Sequence, residues 1–368
     1  MHWARPSGHI FNVAITRAQS LLVILGDPNV LSLDPLWRAF MNYIYDNEGW
    51  IGPEPMWDTE TPVDLGDYGE EMKERAKEDM NLFTRMMEAL TLHGVNNAEE
   101  GGMGTMLMWI GRFQEALNRQ VNDLDQLFGD DWSWIGVGRD DGKEAGEYSP
   151  IFFKNSSFTL VSWDSFWLSN TPFEPSKFPG AGSIRICTAA RFNVNNPAPG
   201  TPKSFSYLNT HLDDQSDDQR KLGASLLLTR AKYEAVKNGG PVFITGDFNS
   251  PSTGSDSGGY SIITGASPPV AINATFAQKF STGNEGGDFK MFDLRGEAPR
   301  QAVSKNFATF TGFTEPADTS SWSRIDFVFG GSNKGWKVDG YKVLSALQDD
   351  GTLSSDHRPV FADVVLQS

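Results

Sequence analysis

The sequence predicts a mixed α/β (α+β) chain in which two packed β-sheets are flanked by helices. Three observations carry that expectation. From about Thr105 onward, many short β-type runs alternate with Gly, Pro, Asn and Asp clusters, and two longer runs among them have helical periodicity. The 368 residues are 39% hydrophobic and 12% aromatic, enough to bury a full-sized core. Strands in number with a few helices between successive pairs call for layered packing, and the length allows one large domain plus an appendage.

In chain order, residues 1–55 hold a strand-like run from Ser20 to Leu25 and a Gly26-Asp27-Pro28 turn. Leu33, Leu36, Phe40 and Ile44 follow at helical spacing, too little to bury a core of their own. A Pro-rich, acidic run starts at Ile51, and residues 56–104 then place Met72, Ala76, Met80, Phe83, Met87 and Leu90 three and four apart, an amphipathic pattern suited to packing or to a partner helix. Gly101, Gly102 and Gly104 close that segment as a hinge.

Residues 105–368 form the main domain, with expected strands Met106–Ile110, Trp134–Val137, Ile151–Phe153, Phe158–Val161, Ile184–Phe192 and Phe205–Thr210. The later ones are Val242–Gly246, Ala308–Phe313, Ile325–Phe329, Tyr341–Leu344 and Val360–Val365. Helices are expected over Gln114–Phe128, with Leu117, Val121 and Leu124 on one face, and over Asp218–Val236, with Leu222, Leu226 and Ala231.

Composition narrows the function. A net charge of −16 disfavours a tight sequence-independent grip on nucleic acid, because that affinity comes from Lys and Arg displacing counterions, so a small or already exposed phosphoester is the easier partner. The longest apolar stretch, Leu21 to Leu25, is far short of the roughly 20 residues of a membrane span, and no signal-peptide core opens the chain. Cys187 is the only cysteine, which removes disulfides and Cys-based zinc and fits a reducing compartment, so an intracellular, cytoplasmic setting and no membrane partner are expected.

Five polar clusters sit at the ends of apolar runs, where side chains from different strands can converge: Gln114-Glu115, Asn209-Thr210-His211-Leu212, Gly246-Asp247-Phe248-Asn249, Ser323-Arg324-Ile325-Asp326 and Ser355-Asp356-His357-Arg358-Pro359. Phosphoester hydrolysis needs a hard cation on oxygen ligands, an oriented water and neutralisation of the nonbridging oxygens, and carboxylate, amide and imidazole groups supply that inventory. Blander readings stand beside this one. Asp247-Phe248-Asn249 before Ser250-Pro251 also reads as a turn, and Asp356-His357 as a loop cap before Pro359.

In that order and over residues 105–366, the clusters resemble the motifs of the endonuclease/exonuclease/phosphatase superfamily, the group of DNase I, abasic-site endonucleases, inositol-phosphate phosphatases and poly(A) deadenylases. The resemblance implies a four-layered α/β/β/α sandwich of two mainly antiparallel sheets, and a hydrolase dependent on Mg²⁺, with Mn²⁺ able to substitute. It implies that Glu115 and Asp356 serve the metal. His211 would contact phosphate or donate a proton, Asp247 would align and deprotonate the attacking water, and Asn249 would orient the water or the phosphate. Asp326 would pair with a histidine and His357 would lie on the scissile phosphate, with Asn209 assigned to substrate binding. The run Gly136-Val137-Gly138-Arg139-Asp140-Asp141-Gly142 with Glu147 to Phe153 is similar to a microbial branch of the group and puts Arg139 near the substrate phosphate. An arginine in a turn equally makes a surface ion pair, worth about 0 to 1 kcal/mol.

The family's opening strand, which ends in an Asn or Asp of the metal site, has no counterpart before Gln114, and Asn96-Asn97 follows no apolar run. The expectation is therefore weak activity that needs high Mg²⁺, or none, as in a catalytically impaired fusion protein. In its place, Phe11 to Ala18 followed by Leu21 to Asn29 resembles the final motif of superfamily 1 RNA helicases, in which the arginine at Arg17 reaches the ATP γ-phosphate. No G-x-x-x-x-G-K-[ST] phosphate loop occurs in the chain, so residues 1–55 read as a helicase fragment without ATPase activity, joined by fusion.

Overall fold

A computed structural model describes residues 35–46, 55, 59, 110–112, 114–197, 199–313, 318–345 and 355–367. The helicase-like motif, the 72–90 amphipathic pattern, Asn96-Asn97 and positions 106–109 lie outside the described residues. Contacts divide the chain into two units, Met1–Met87 and Glu88–Ser368. In the first, helix α1 (Pro35–Asp46) takes up the spacing expected around Leu36 to Ile44, opening with proline at a position where a missing N–H costs nothing.

The second unit is built on a six-stranded sheet. In chain order its strands are β4 (Phe158–Trp167), β5 (Ile186–Val194), β6 (Ser204–His211), β7 (Val242–Asp247), β8 (Met291–Asp293) and β9 (Asp326–Gly331). They lie side by side as β4-β5-β6-β7-β9-β8. Every pairing is antiparallel except β6 with β7, which run parallel and therefore need a crossover. Helix α3 (Asp217–Asn238) supplies it. Ser216 caps its first turn by accepting from Gln219 N, Asp217 and Asp218 face the positive end, and Gly239 at φ 72° ends it.

Period-two alternation decides which layer each strand residue meets. Leu208, Ile244, Phe327 and Phe329 pack under Leu222, Leu226, Leu227 and Ala231 of α3. Tyr207, Phe243 and Val328 point the other way, into a second core shared with two smaller sheets. One contains β1 (Ile110–Arg112), β2 (Trp132–Ile135) and β3 (Ile151–Lys154) in the order β1-β3-β2; the other pairs β10 (Trp336–Val343) with β11 (Val360–Leu366). Beyond the three-stranded sheet, Val121 of helix α2 (Asn118–Phe128) packs with Phe152 and Tyr148. The result is the expected α/β/β/α layering. None of the described helices is long and apolar enough to cross a membrane.

Two elements depart from expectation. Helix α2 starts at Asn118 rather than Gln114, because Ala116 is held in a bridge to Tyr148, whose N–H donates to Ala116 O at 2.8 Å. The 308–313 segment is a loop, not a strand: Phe310 bridges both Ser323 and His357, so its backbone groups are divided between two partners and no ladder forms. The structure adds β8 and the short helices α4 (Gly258–Ile263), α5 (Ala274–Lys279) and α6 (Leu294–Glu297), whose brief apolar runs carry little periodic signal.

Candidate active site

The sheet register brings three ionisable side chains into one row. His211, the last residue of β6, pairs with Asp247, the last of β7, and Asp247 pairs with Asp326, the first of β9. Residues directly opposite on neighbouring strands share a face. That face is the one turned toward the smaller sheets, so the row lies at the edge of the interface between the two β layers. His211 and Asp247 are 6% and 3% exposed. His211 Nε2 is 3.4 Å from Asp247 Oδ2.

His357 reaches the row from the loop before β11, anchored by the Phe310 bridge. Its Nδ1 lies 2.9 Å from Asp326 Oδ2 and its Nε2 lies 3.7 Å from Asp247 Oδ2. Asp247, Asp326 and His357 each present a ligand-type atom within 4.8 Å of the others. Thr309, fully buried, fixes the start of β9: its hydroxyl accepts from the N–H groups of Ile325 and Asp326, both at 3.0 Å.

Glu115 closes the opposite side, with Oε1 4.0 Å from His211 Nε2. Its φ of 59° and the 45° of Asn249 are left-handed, a conformation costly for Glu and tolerated by Asn. Asn249 N donates to Asp247 Oδ1 at 2.8 Å, and its side-chain amide donates to Leu212 O and lies 3.1 Å from His211 Nε2.

The two histidines are pushed apart in basicity. Burial, then Arg185, Arg139 and His357, holds His211 well below the ordinary histidine range, so it is neutral near pH 7. Burial alone would also lower His357, but its hydrogen bond and charge contact with Asp326, reinforced by Asp247 and Asp356, raise it to about 9. Burial followed by the Asp326 charge lifts Asp247 well above the carboxylate range, against the pull of His357 and the Asn249 N–H. Glu115 is raised by desolvation and by Glu147 and Asp356, and lowered by His357. The carboxylates of Asp247 and Asp326 with the His357 imidazole form a mixed oxygen and nitrogen donor set, and Glu115 adds a further carboxylate beside it, which fits a divalent cation.

Arg139 sits in the 138–147 loop, with its guanidinium forked onto Glu147 at 2.5 and 3.1 Å and its carbonyl accepting from Trp167 Nε1 at 2.6 Å. At 14% exposure, the ion pair is not a surface one. Asn209, expected at the substrate, stands beside Gln114 and Thr245. It is fully buried, its Oδ1 accepts from Gln114 and Thr245, and its Nδ2 donates to Pro150 O, so its amide braces the segment carrying Glu115. Sequence reasoning missed Arg185, whose signal was an arginine interrupting the apolar run Ile184 to Cys187. Here it borders the same cleft as Arg139 and His211, held by Asp213 and Asp214.

Residues 110–357 match the Endonuclease/Exonuclease/phosphatase family. Among solved structures, the chain is similar to an endonuclease/exonuclease/phosphatase from Bacteroides vulgatus, at 30% identity and a TM-score of 0.56, with 70% of this chain and 85% of that chain covered. It is also similar to the mannosyl-6-phosphatase of Bacteroides thetaiotaomicron, at 27% identity and a TM-score of 0.55, with the same coverage of 70% and 85%. A stretch of 42 residues, 11% of this chain, is 48% identical to the putative helicase mov-10-B.1 of Danio rerio, of which it spans only 4%.

Proposed function

The chain belongs to the endonuclease/exonuclease/phosphatase family, and from that premise we propose that it hydrolyses phosphoesters with a divalent metal, Mg²⁺ or Mn²⁺, and water as nucleophile. The observation that carries this reading is the row His211, Asp247, Asp326, closed by His357 across Asp326. Glu115 and Asp356 would hold the ion, which when bound neutralises charge building on the phosphoryl oxygens. Asp247, more basic than an ordinary carboxylate once ionised, takes the proton of the attacking water, with Asn249 orienting it. His357 is the imidazolium and donates to the phosphoryl group, while Asp326 keeps it charged and aimed. Neutral His211 contacts a phosphoryl oxygen from the other side.

The test is hydrolysis of a chromogenic phosphoester by the purified chain across a Mg²⁺ series. The rate is expected to rise with Mg²⁺, to vanish with chelator, and to fall about 10²- to 10⁴-fold in Asp247→Asn and His357→Ala. An unchanged rate in either variant removes the mechanism. The helicase-like stretch is proposed as a helicase-derived fragment without ATPase activity, supported by the 42-residue likeness alone. Saturable ATP binding in a nucleotide titration would overturn it.

A further inference from the structure

The contact between Asp326 and His357 joins segments that no shared sheet aligns, since β9 belongs to the six-stranded sheet and β11 to the two-stranded one. Segment 308–312 is tied to both. On one side, Thr309 N and Phe310 N each donate to Ser323 O at 2.9 Å, and Ser323 N donates back to Phe310 O at 3.0 Å. On the other, Arg358 N donates to Thr309 O at 2.6 Å, while Thr311 N and Gly312 N donate to Asp356 O at 2.9 and 3.2 Å. The Phe310 ring meets the His357 ring edge-on, with centroids 5.0 Å apart.

The ties converge on Thr309. Those made by its backbone would survive a change of side chain, but its hydroxyl alone accepts from Ile325 N and Asp326 N, at 3.0 Å each. No strand does that work there. β8 pairs with β9 only at Phe329, Gly330 and Gly331, so the end of β9 that carries Asp326 has β7 on one flank and this hydroxyl on the other. Both lone pairs of the oxygen are engaged, and because Thr309 is fully buried, bulk water cannot take its place. A buried threonine that only satisfied its neighbours would contribute to stability and nothing else. Thr309 differs in what it joins: the hydroxyl holds the amide of Asp326, and the carbonyl holds the amide of the residue after His357.

We propose that Thr309 is a positioning residue for the hydrolysis, holding the Asp326 carboxylate against His357 Nδ1 and so aiming the imidazole at the phosphoryl group. The effect on rate rests on the phosphoester-hydrolase reading, whereas the effect on the Asp326–His357 contact does not. Hydrogen bonds weaken steeply with misalignment, and displacements of about 1 Å from a change outside the reacting groups are costly in rate.

The experiment sets Thr309→Val, which keeps the shape and removes the acceptor, beside Thr309→Ser, which keeps the acceptor and removes a buried methyl group. Each is followed by thermal unfolding, by kcat and KM on a chromogenic phosphoester at saturating Mg²⁺ well below its midpoint, and, in metal-free protein, by the ring Nδ1–H proton resonance of His357. Both variants are expected to lose stability, because both disturb a buried position. Only Thr309→Val is expected to lose kcat, by about tenfold or more with KM little changed, while Thr309→Ser stays within about threefold of the parent. The hydrogen-bonded ring proton should persist in Thr309→Ser and shift upfield or vanish in Thr309→Val. Should the valine protein not fold, Thr309→Cys, a weaker acceptor, replaces it, with a smaller loss of kcat expected in the same direction. Parental kcat in the valine protein, or rates that follow the unfolding midpoints in both variants, overturns the positioning role and leaves the hydrolase reading standing. If the parent turns over no phosphoester, the hydrolase reading falls and the ring proton decides alone: its loss in Thr309→Val with retention in Thr309→Ser supports the hold on Asp326 and His357, and an unshifted proton in both sinks it.

Discussion

His357 Nδ1 lies 2.9 Å from Asp326 Oδ2, and that contact fastens the loop before β11 to the first residue of a central strand. Because the folded His357 is raised from 6.5 to about 9, the pair stabilises the fold fully below pH 6.5, and the contribution is lost as pH rises through about 9. Asp326→Asn removes the largest raising contact and leaves burial to lower the imidazole against the charges of Asp247 and Asp356. In metal-free protein, the His357 resonances are therefore expected to titrate near 9, and at distinctly lower pH in Asp326→Asn. The thermal midpoint of the parent should fall more steeply than that of the variant between pH 7 and 9.5. Coincident titration curves in the two proteins would show that Asp326 does not set the charge of His357.

Asn209 predicts a metal effect without a metal contact. Alanine there strands Gln114 Nε2 and Pro150 O, costing about 1–3 kcal/mol for a buried polar group left unpaired, while the Thr245 hydroxyl keeps Leu208 O. Gln114 precedes Glu115, whose left-handed backbone has to be held by its surroundings. Asn209→Ala is expected to raise the Mg²⁺ concentration for half-maximal rate several-fold, with kcat largely restored at saturating Mg²⁺. A loss of kcat that no amount of Mg²⁺ recovers would place Asn209 on the substrate instead.

Much of the site was legible in the sequence. His211, Asp247 and Asp326 stood out because each ends or begins a β-type run, and period-two alternation tells which side chain shares a face with which. Their alignment in one row was not legible, since it depends on strand order and on the α3 crossover. Gln-Glu-Ala is good helix-forming sequence, so the α2 periodicity ran on backward through Glu115 until the distant Tyr148 bridge overrode it. The contact of Asn209 with Gln114 was not legible, because the two lie 95 residues apart in the chain. Arg185 was hidden by the apolar run around it, and only its carboxylate partners reveal why it tolerates burial.

Gly246 gives the sharpest test of the row itself. It pairs with Thr210 in the parallel β6–β7 ladder, one residue before the His211–Asp247 pair. A Cβ at Gly246 would stand 2.1 Å from Thr210 O and 2.9 Å from its carbonyl carbon, backbone atoms that cannot rotate away. Relief requires the two strands to part, and parting them lengthens the 3.4 Å approach of His211 to Asp247. Gly246→Ala is expected to destabilise by about 1–3 kcal/mol, the usual penalty for overpacking. Measured well below its unfolding midpoint, it should still lose at least tenfold in rate, because displacements of about 1 Å at a reacting centre are that costly. Gly296→Ala serves as the control: the added Cβ meets nothing within 4 Å, the residue is exposed in α6, and both rate and midpoint should hold. A Gly246→Ala protein as active and as stable as its parent would mean that the strands do not hold His211 against Asp247 in the way described.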